Sequence, residues 1–418
     1  MIKNIGLFIL TMFFAFTTSA QVQTEYVSNF YIRTVLLNNT KAEQSFPMIA
    51  LNGRERLLLQ FDNLSDQYQN YAYTVEHCNA DWTLSNIVFN EYLDGFNRNF
   101  ITNYKFSSNT IQPYVHYELE LPNADVRFRL AGNYILKVYA AENDQQVLLS
   151  KRFIVYQNYV GIEQQLMRST VINDRNKKQK IDFTIYKQDF KIDNPFDQLK
   201  VVVMQNDNWN SSYLNTRPSF YDNSMLRFDH VDANVFNGLN EHRRFDIRST
   251  RFLSERLAKI NSDSIWDVYV MEDRPKNPLR YVEEMDLNGN FFIDRTDFGE
   301  GALNADYVNV HFTFNYGTQN PFGTFYVLGR FNDWKANDAS EMKYNLNSGR
   351  YEANIYLKQG IYDYMIGFKA NKSNFVDFSP VEGNFYDTEN NYRIIVYYRR
   401  TGNRFDEVIG VKDWNVNP

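Results

Sequence analysis

The 418-residue chain contains a single cysteine, Cys78, so it can close no internal disulfide. Only 10 prolines and 18 glycines occur, which excludes a collagen-like or proline-rich repeat. Basic tracts are lacking as well. Lys177, Lys178 and Lys180 form the densest cluster, and the net charge is −6 with a pI of about 5.6. Nucleic-acid binding as the main activity needs a concentrated basic face, so this composition argues against it. Past residue 20 no apolar run approaches the ~20 residues that cross a bilayer as a helix. There is no G-x-S-x-G elbow, no G-x-G-x-x-G and no P-loop.

What the chain has in quantity is aromatic surface: 34 Phe and 30 Tyr, with aromatics at 17% and hydrophobic residues at 44%. That is enough for several cores and incompatible with a disordered chain. The length suggests two to four domains. About one residue in eight is asparagine, which favours turns and strand ends over long helices. The first 20 residues combine Lys3, an apolar run over 5–16, and small Thr18 and Ala20 before Gln21. This pattern predicts a cleaved secretory signal peptide. Cys78 does not follow the cleavage site, so no lipid anchor is expected there, and the mature chain is expected to be soluble and held together by packing.

Period-two runs of aromatic and β-branched residues bounded by Asn, Asp, Gly and Ser predict strands throughout. Residues 21–157 form a first expected β-sandwich of immunoglobulin-like kind, with strands at 56–61, 71–75, 114–121, 134–139 and 147–156, and Gly132-Asn133 as a hairpin corner. Residues 158–300 form a second β-rich domain, with strands at 181–186, 199–205, 224–230, 245–250 and 265–271. A long loop is expected at 207–217, and an Asn288-Gly289 hairpin joins strands at 281–286 and 291–294. Residues 301–418 form a third sandwich, with strands at 309–315, 323–329, 350–357, 362–368 and 392–399. Asn347-Ser348-Gly349 and Lys358-Gln359-Gly360 read as hairpin turns. No segment longer than twelve residues carries a helical stripe. The expected class is all-β, built of tandem sandwiches.

Candidate chemistry is sparse. The histidines are His77, His116, His230, His242 and His311, no two at i, i+4. His77 and Cys78 are adjacent, so on a strand they face opposite ways; neither pattern gives a zinc motif. Asp286, Asn288, Asn290, Asp294 and Asp297 fall at positions 1, 3, 5, 9 and 12 of a calcium-loop template, but the glycine is at position 4 rather than 6. A plain hairpin accounts for the same residues. The run His77-Cys78-Asn79-Ala80-Asp81-Trp82 places a thiol, an imidazole and an amide together. The structural reading, a strand end with Trp82 packed and Asp81 or Asn79 capping a turn, explains it without catalysis. Asp263-Ser264-Ile265 is a three-residue match to a short O-glycosylation sequon. No acid/base pair can be nominated from spacing, and the chain is expected not to be an enzyme.

Two resemblances follow from longer runs. Gly329-Arg330-Phe331-Asn332-Asp333-Trp334, then Gly349-Arg350-Tyr351 and Gly360-Ile361-Tyr362-Asp363-Tyr364, resemble early-set immunoglobulin-like domains, especially glycogen-binding modules. In those modules the tryptophan matching Trp334 stacks on a sugar, helped by a lysine and a second tryptophan. Here Met365 stands at the lysine position, and Asn374 and Phe375 where the second tryptophan belongs. An exported glycan-binding protein is therefore the alternative reading. The wider pattern is the run 77–82, then Glu91-Tyr92-Leu93-Asp94-Gly95-Phe96, Gly132-Asn133-Tyr134 and residues 380–390 (PVEGNFYDTEN). In that order these resemble the type IX secretion system plug protein family of Bacteroidota across the mature chain. That resemblance implies a non-enzymatic periplasmic protein, without cofactor, metal or small-molecule substrate. It implies association with the outer-membrane translocon barrel and closure of the barrel's periplasmic mouth. It assigns no partner-binding residues.

Overall fold

The computed structural model describes residues 21–27, 31–42, 44–65, 67–263, 265–296 and 301–417. The expected signal peptide, Ser264 of the sequon and Asp297 of the calcium template lie outside the described residues. Among those described, every α-helix is a single turn of four residues, such as Phe89–Tyr92 or Ser379–Glu382. Apart from two short 3-10 turns, Ile172–Asp174 and Arg330–Asn332, the rest of the regular structure is β, as the all-β expectation requires.

In the first unit, strand Leu57–Asn63 shows how the pattern folds. Leu57, Leu59 and Phe61 are wholly buried, while Leu58 and Gln60 on the other face are not. It pairs with Ile32–Asn39 on one side and Val115–Leu121 on the other. A second sheet runs Tyr26–Val27, Asn143–Tyr156, Gly132–Ala140, Tyr71–Cys78, Asn99–Ile101. Tyr134, Leu136 and Val138 from that sheet meet Leu59 and Phe61 in one core. Each such side chain contributes roughly 1.5–3 kcal/mol by burial.

The second unit places Gly161–Arg168, Lys178–Tyr186 and Met225–Phe228 against a sheet of Asn208–Asn215, Leu199–Gln205, Asn390–Tyr398 and Glu407–Val416. Its core mixes Ile181, Phe183 and Val201 with Ile394, Val396 and Ile409. The chain thus returns, after building the third unit, to complete the second. The expected boundary at 300 does not separate packing units, because Phe245, Ile247 and Val268 belong to the third core and residues 390–416 to the second. Local periodicity reveals strands but not which distant strand each will join.

The third unit is a nine-stranded sheet from Arg243–Asp246 through Gly360–Ala370, Gly323–Leu328, Glu341–Asn345, Arg350–Lys358, Tyr307–Phe314 and Trp266–Val270 to Leu257–Ser262, with Phe291–Ile293 also on Gly360–Ala370. Phe245 and Phe312 lie five strands apart in sheet order, yet their ring centroids are 5.4 Å apart. The sheet therefore curls over its own aromatic core.

Several local expectations change. Residues 207–217 are not a long loop: Asn208–Asn215 is an edge strand joined to Leu199–Gln205 by Asn206 and Asp207, at φ 49° and 54°. Two positive φ values at the centre of a tight hairpin suit Asn and Asp, and a polar edge strand shows no apolar alternation. Residues 281–286 form no strand. The Asn288-Gly289 turn exists (φ 51° and 79°), but Phe291–Ile293 pairs with Gly360–Ala370 instead. Gly132-Asn133 is no hairpin corner: it opens strand Gly132–Ala140, where a Cβ on Gly132 would lie 2.2 Å from His77 Nε2. Lys358-Gln359-Gly360 is a corner between two strands that do not pair.

Candidate functional site

Several buried polar groups stand where the units meet. Asp62 and His116 stand on adjacent strands of the first unit; Tyr307 and Lys358 stand on paired strands of the third. Asp62 Oδ1 accepts from His116 Nδ1 at 2.6 Å, and Oδ2 accepts from Tyr307 Oη at 2.7 Å and Lys358 Nζ at 2.6 Å. Lys358 and Asp62 are each 1% exposed. Burial alone would push the Asp62 carboxyl up; the Lys358 charge and the His116 hydrogen bond more than offset it and hold it below its ordinary value. Lys358 Nζ also donates to Ala302 O and lies 4.1 Å from the centre of the Tyr114 ring.

A second lock joins the same two units. Lys151 Nζ donates to Asp333 Oδ1 at 2.5 Å, and Lys335 Nζ reaches Glu25 O at 2.8 Å. At the three-way centre is Arg330. Its guanidinium donates to Gln44 O and Ser45 O of the first unit and to Asn290 Oδ1 of the third, and lies 3.8 Å from Asp207 Oδ2 of the second. Asp207 in turn pairs with Arg393.

The first and second units meet through the run 77–82. Ala80 N–H donates to Asp406 Oδ2 at 2.9 Å, Arg399 Nη2 to Asn79 Oδ1 at 2.9 Å, and Tyr397 Oη to Asn133 Oδ1 at 2.9 Å. Trp82 packs edge-on against Trp209 with centroids 4.9 Å apart, under the Arg152 guanidinium. Asp81 Oδ1 caps the turn by accepting from Thr83 N–H. Cys78 is wholly buried, and burial pushes its thiol up to about 12, far from a nucleophile's range. Burial lowers His77 to about 4. Outside the buried centre, Arg404 grips Glu91 at 3.0 Å. What these groups do together is bind three sandwiches into one body.

The sugar platform does not assemble. Trp334 is 9% exposed, wedged edge-on against His242 and Phe378. Met365 is wholly buried, and Phe375 projects 79% exposed from a loop. The calcium template is likewise dispersed: Asp286 accepts from His242, Asn290 from Arg330, and Asp294 lies 3.6 Å from Arg248. Sequence reasoning missed Asp62, Tyr307 and Lys358, whose partners lie 245 and 296 residues away. Arg330 and Asp333 lie inside the run 329–334, where spacing alone marks neither as a junction residue.

Residues 32–157 match the family model described as "Type 9 secretion system plug protein 1st domain". A crystal structure of a hypothetical protein from Parabacteroides merdae is 32% identical, with a TM-score of 0.91, covering 95% of this chain and 100% of that one. No curated protein matches.

Proposed function

Given that the chain belongs to the type 9 secretion system plug protein family, we propose that it is a non-enzymatic periplasmic gating subunit. In this reading it binds the outer-membrane translocon barrel and obstructs its periplasmic opening. The observation that carries the proposal is the family match over the first unit. The architecture supports it physically. A plug must present bulk that does not collapse or splay under load. Here three cores are tied by buried ion pairs and by a chain that returns from the third unit to finish the second. Side chains that are fully buried and paired resist rearrangement, because breaking one partner strands the other's charge.

The test is recovery of the partner. The full chain, affinity-tagged at its C-terminus and expressed in its own cell, is captured from native outer membranes. A large outer-membrane barrel is expected in stoichiometric amount. Deleting the gene in a strain with a trapped-open channel is expected to make the outer membrane leaky to small molecules. A tagged chain that never brings down the barrel overturns the proposal.

A further inference from the structure

Residues 274–290 run over the third unit without a strand or helix. Unstructured connections longer than about 12–15 residues are uncommon in compact domains unless something fixes them. The far end of this one is fixed at a polar cluster. His242 Nδ1 and its backbone N–H both donate to Asp286 Oδ2, at 2.9 and 2.5 Å. Asp286 Oδ1 accepts from Asn288 N–H at 2.7 Å. Asp363, on strand Gly360–Ala370, accepts the N–H groups of Leu287 and Gly289 through Oδ2. Ligand atoms of His242, Asp286 and Asp363 all lie within 4.8 Å of one another.

What is left over in this cluster is informative. His242 Nε2, Asp363 Oδ1 and Asn288 Oδ1 are each buried with no hydrogen-bond partner. His242 is 3% exposed and Asp363 is fully buried. With the Nδ1 proton hydrogen-bonded to Asp286, the neutral imidazole presents a lone pair at Nε2. Nε2 and Asp363 Oδ1 are thus buried in one cluster without a partner. One unsatisfied buried acceptor costs roughly 1–3 kcal/mol, and natural proteins seldom tolerate several together. Two buried carboxylates close to one imidazole add the need for positive charge. A carboxylate accepting the far N–H of an imidazole is the support that metal-ligating histidines use. Gly289 keeps the space clear: a Cβ there would sit 2.9 Å from His242 Nε2 and 2.5 Å from the Trp334 ring.

We propose that His242 Nε2 and Asp363 Oδ1 bind a divalent transition-metal cation of the zinc or manganese class. Asp286 holds the imidazole from behind, and the ion staples residues 274–290 to the third unit. Imidazole with carboxylate oxygen suits this class rather than the all-oxygen shell of calcium.

The test uses the full chain, stripped with chelator, dialysed, and titrated calorimetrically with zinc chloride, manganese chloride and calcium chloride in separate runs. Saturable uptake of one zinc or manganese ion per chain is expected, with a raised melting temperature. His242→Gln and Asp363→Asn should each weaken binding at least 100-fold, and Asp286→Asn 10- to 100-fold. Far-UV circular dichroism checks that each variant is folded. If one is not, the wild-type titration and the remaining folded variants decide. No saturable uptake of zinc or manganese by the wild-type chain up to millimolar ion overturns the proposal. Unchanged affinity in folded His242→Gln overturns it too, as does uptake of calcium alone.

Discussion

Replacing Asp62 with Asn tests whether the first and third units are held by charge. The substitution keeps shape and removes one negative charge. Lys358, 1% exposed, then has no carboxylate and keeps Ala302 O and the Tyr114 and Tyr307 rings against its ammonium. Breaking one side of a buried pair costs about 3–5 kcal/mol. Three donors converge on the Asp62 carboxylate, from His116, Tyr307 and Lys358. The amide nitrogen of Asn must face one of them, so a hydrogen bond worth about 1 kcal/mol is lost as well. Tyr307 keeps Thr34 Oγ1 at 2.6 Å. The total is about 4–6 kcal/mol. Adding Lys358→Met removes the stranded cation and should recover most of it, since removing both charges of a buried pair is often nearly neutral. Urea unfolding of wild type, both singles and the double gives the coupling, and small-angle scattering reports whether the units separate. A single-variant loss below about 1 kcal/mol, or a double variant no better than Asp62→Asn, would refute the reasoning.

Other outcomes follow from the same geometry. Asp62 is held below its ordinary value, so its contribution is present above about pH 4 and lost as pH falls through the folded value. Burial would lower His116, but the hydrogen bonds it donates to Asp62 and Glu118 outweigh it and raise the imidazole. That contribution is full below about pH 6.5 and lost as pH rises through its folded value. The urea midpoint should therefore be highest between about pH 4 and 6.5, and an identical profile in Asp62→Asn would contradict this. The Cys78 thiol, buried and pushed up to about 12, should ignore a disulfide reagent at pH 8 in the native chain and titrate as one thiol in guanidinium; native reactivity would count against the packing described. Gly132→Ala drives a Cβ into the His77 ring and should cost about 1–3 kcal/mol by chemical denaturation. Trp334→Ala should destabilise the third unit by about 3–5 kcal/mol without changing retention on α-glucan columns.

Strands were legible wherever a run of apolar β-branched or aromatic residues stands between turn residues. Leu199–Gln205 was read end to end because its valines and methionine sit between polar punctuation. Asn208–Asn215, its hairpin partner, looks like a loop in sequence because an edge strand of Asn, Ser and Tyr carries no apolar period. Ile32–Asn39 and Glu407–Val416 were passed over. Apart from its two leucines, Val35 and Ile32, the first is polar. The second is interrupted by Gly410, where a Cβ would crowd Val160 at 2.7 Å. The boundary at 300 fails for a deeper reason. The return of residues 390–416 to the second core is a long-range pairing, Leu199 to Tyr398 through Gln205 to Tyr392. No local pattern encodes it.

The runs that carry the family resemblance lie where units or distant segments touch. Asn79 and Ala80 meet Arg399 and Asp406; Glu91 meets Arg404; Asn133 meets Tyr397; Glu382, fully buried, takes the Arg243 guanidinium at 3.0 Å; Asn390 reaches Gln179 and Gly238. Apart from the exposed Glu91–Arg404 pair, these are polar groups largely buried at junctions, each positioned to satisfy a specific partner far away in sequence. An apolar core accepts many side-chain sets of equal volume, whereas a buried amide or carboxylate accepts few neighbours. A sequence signature made of such residues therefore marks how three sandwiches are set relative to one another. For a protein whose proposed work is to obstruct an opening, that relative placement is the functional quantity. It also explains why a search for catalytic spacing found nothing to nominate while the strongest recognisable runs were present. The residues most constrained by physics are those that hold the shape.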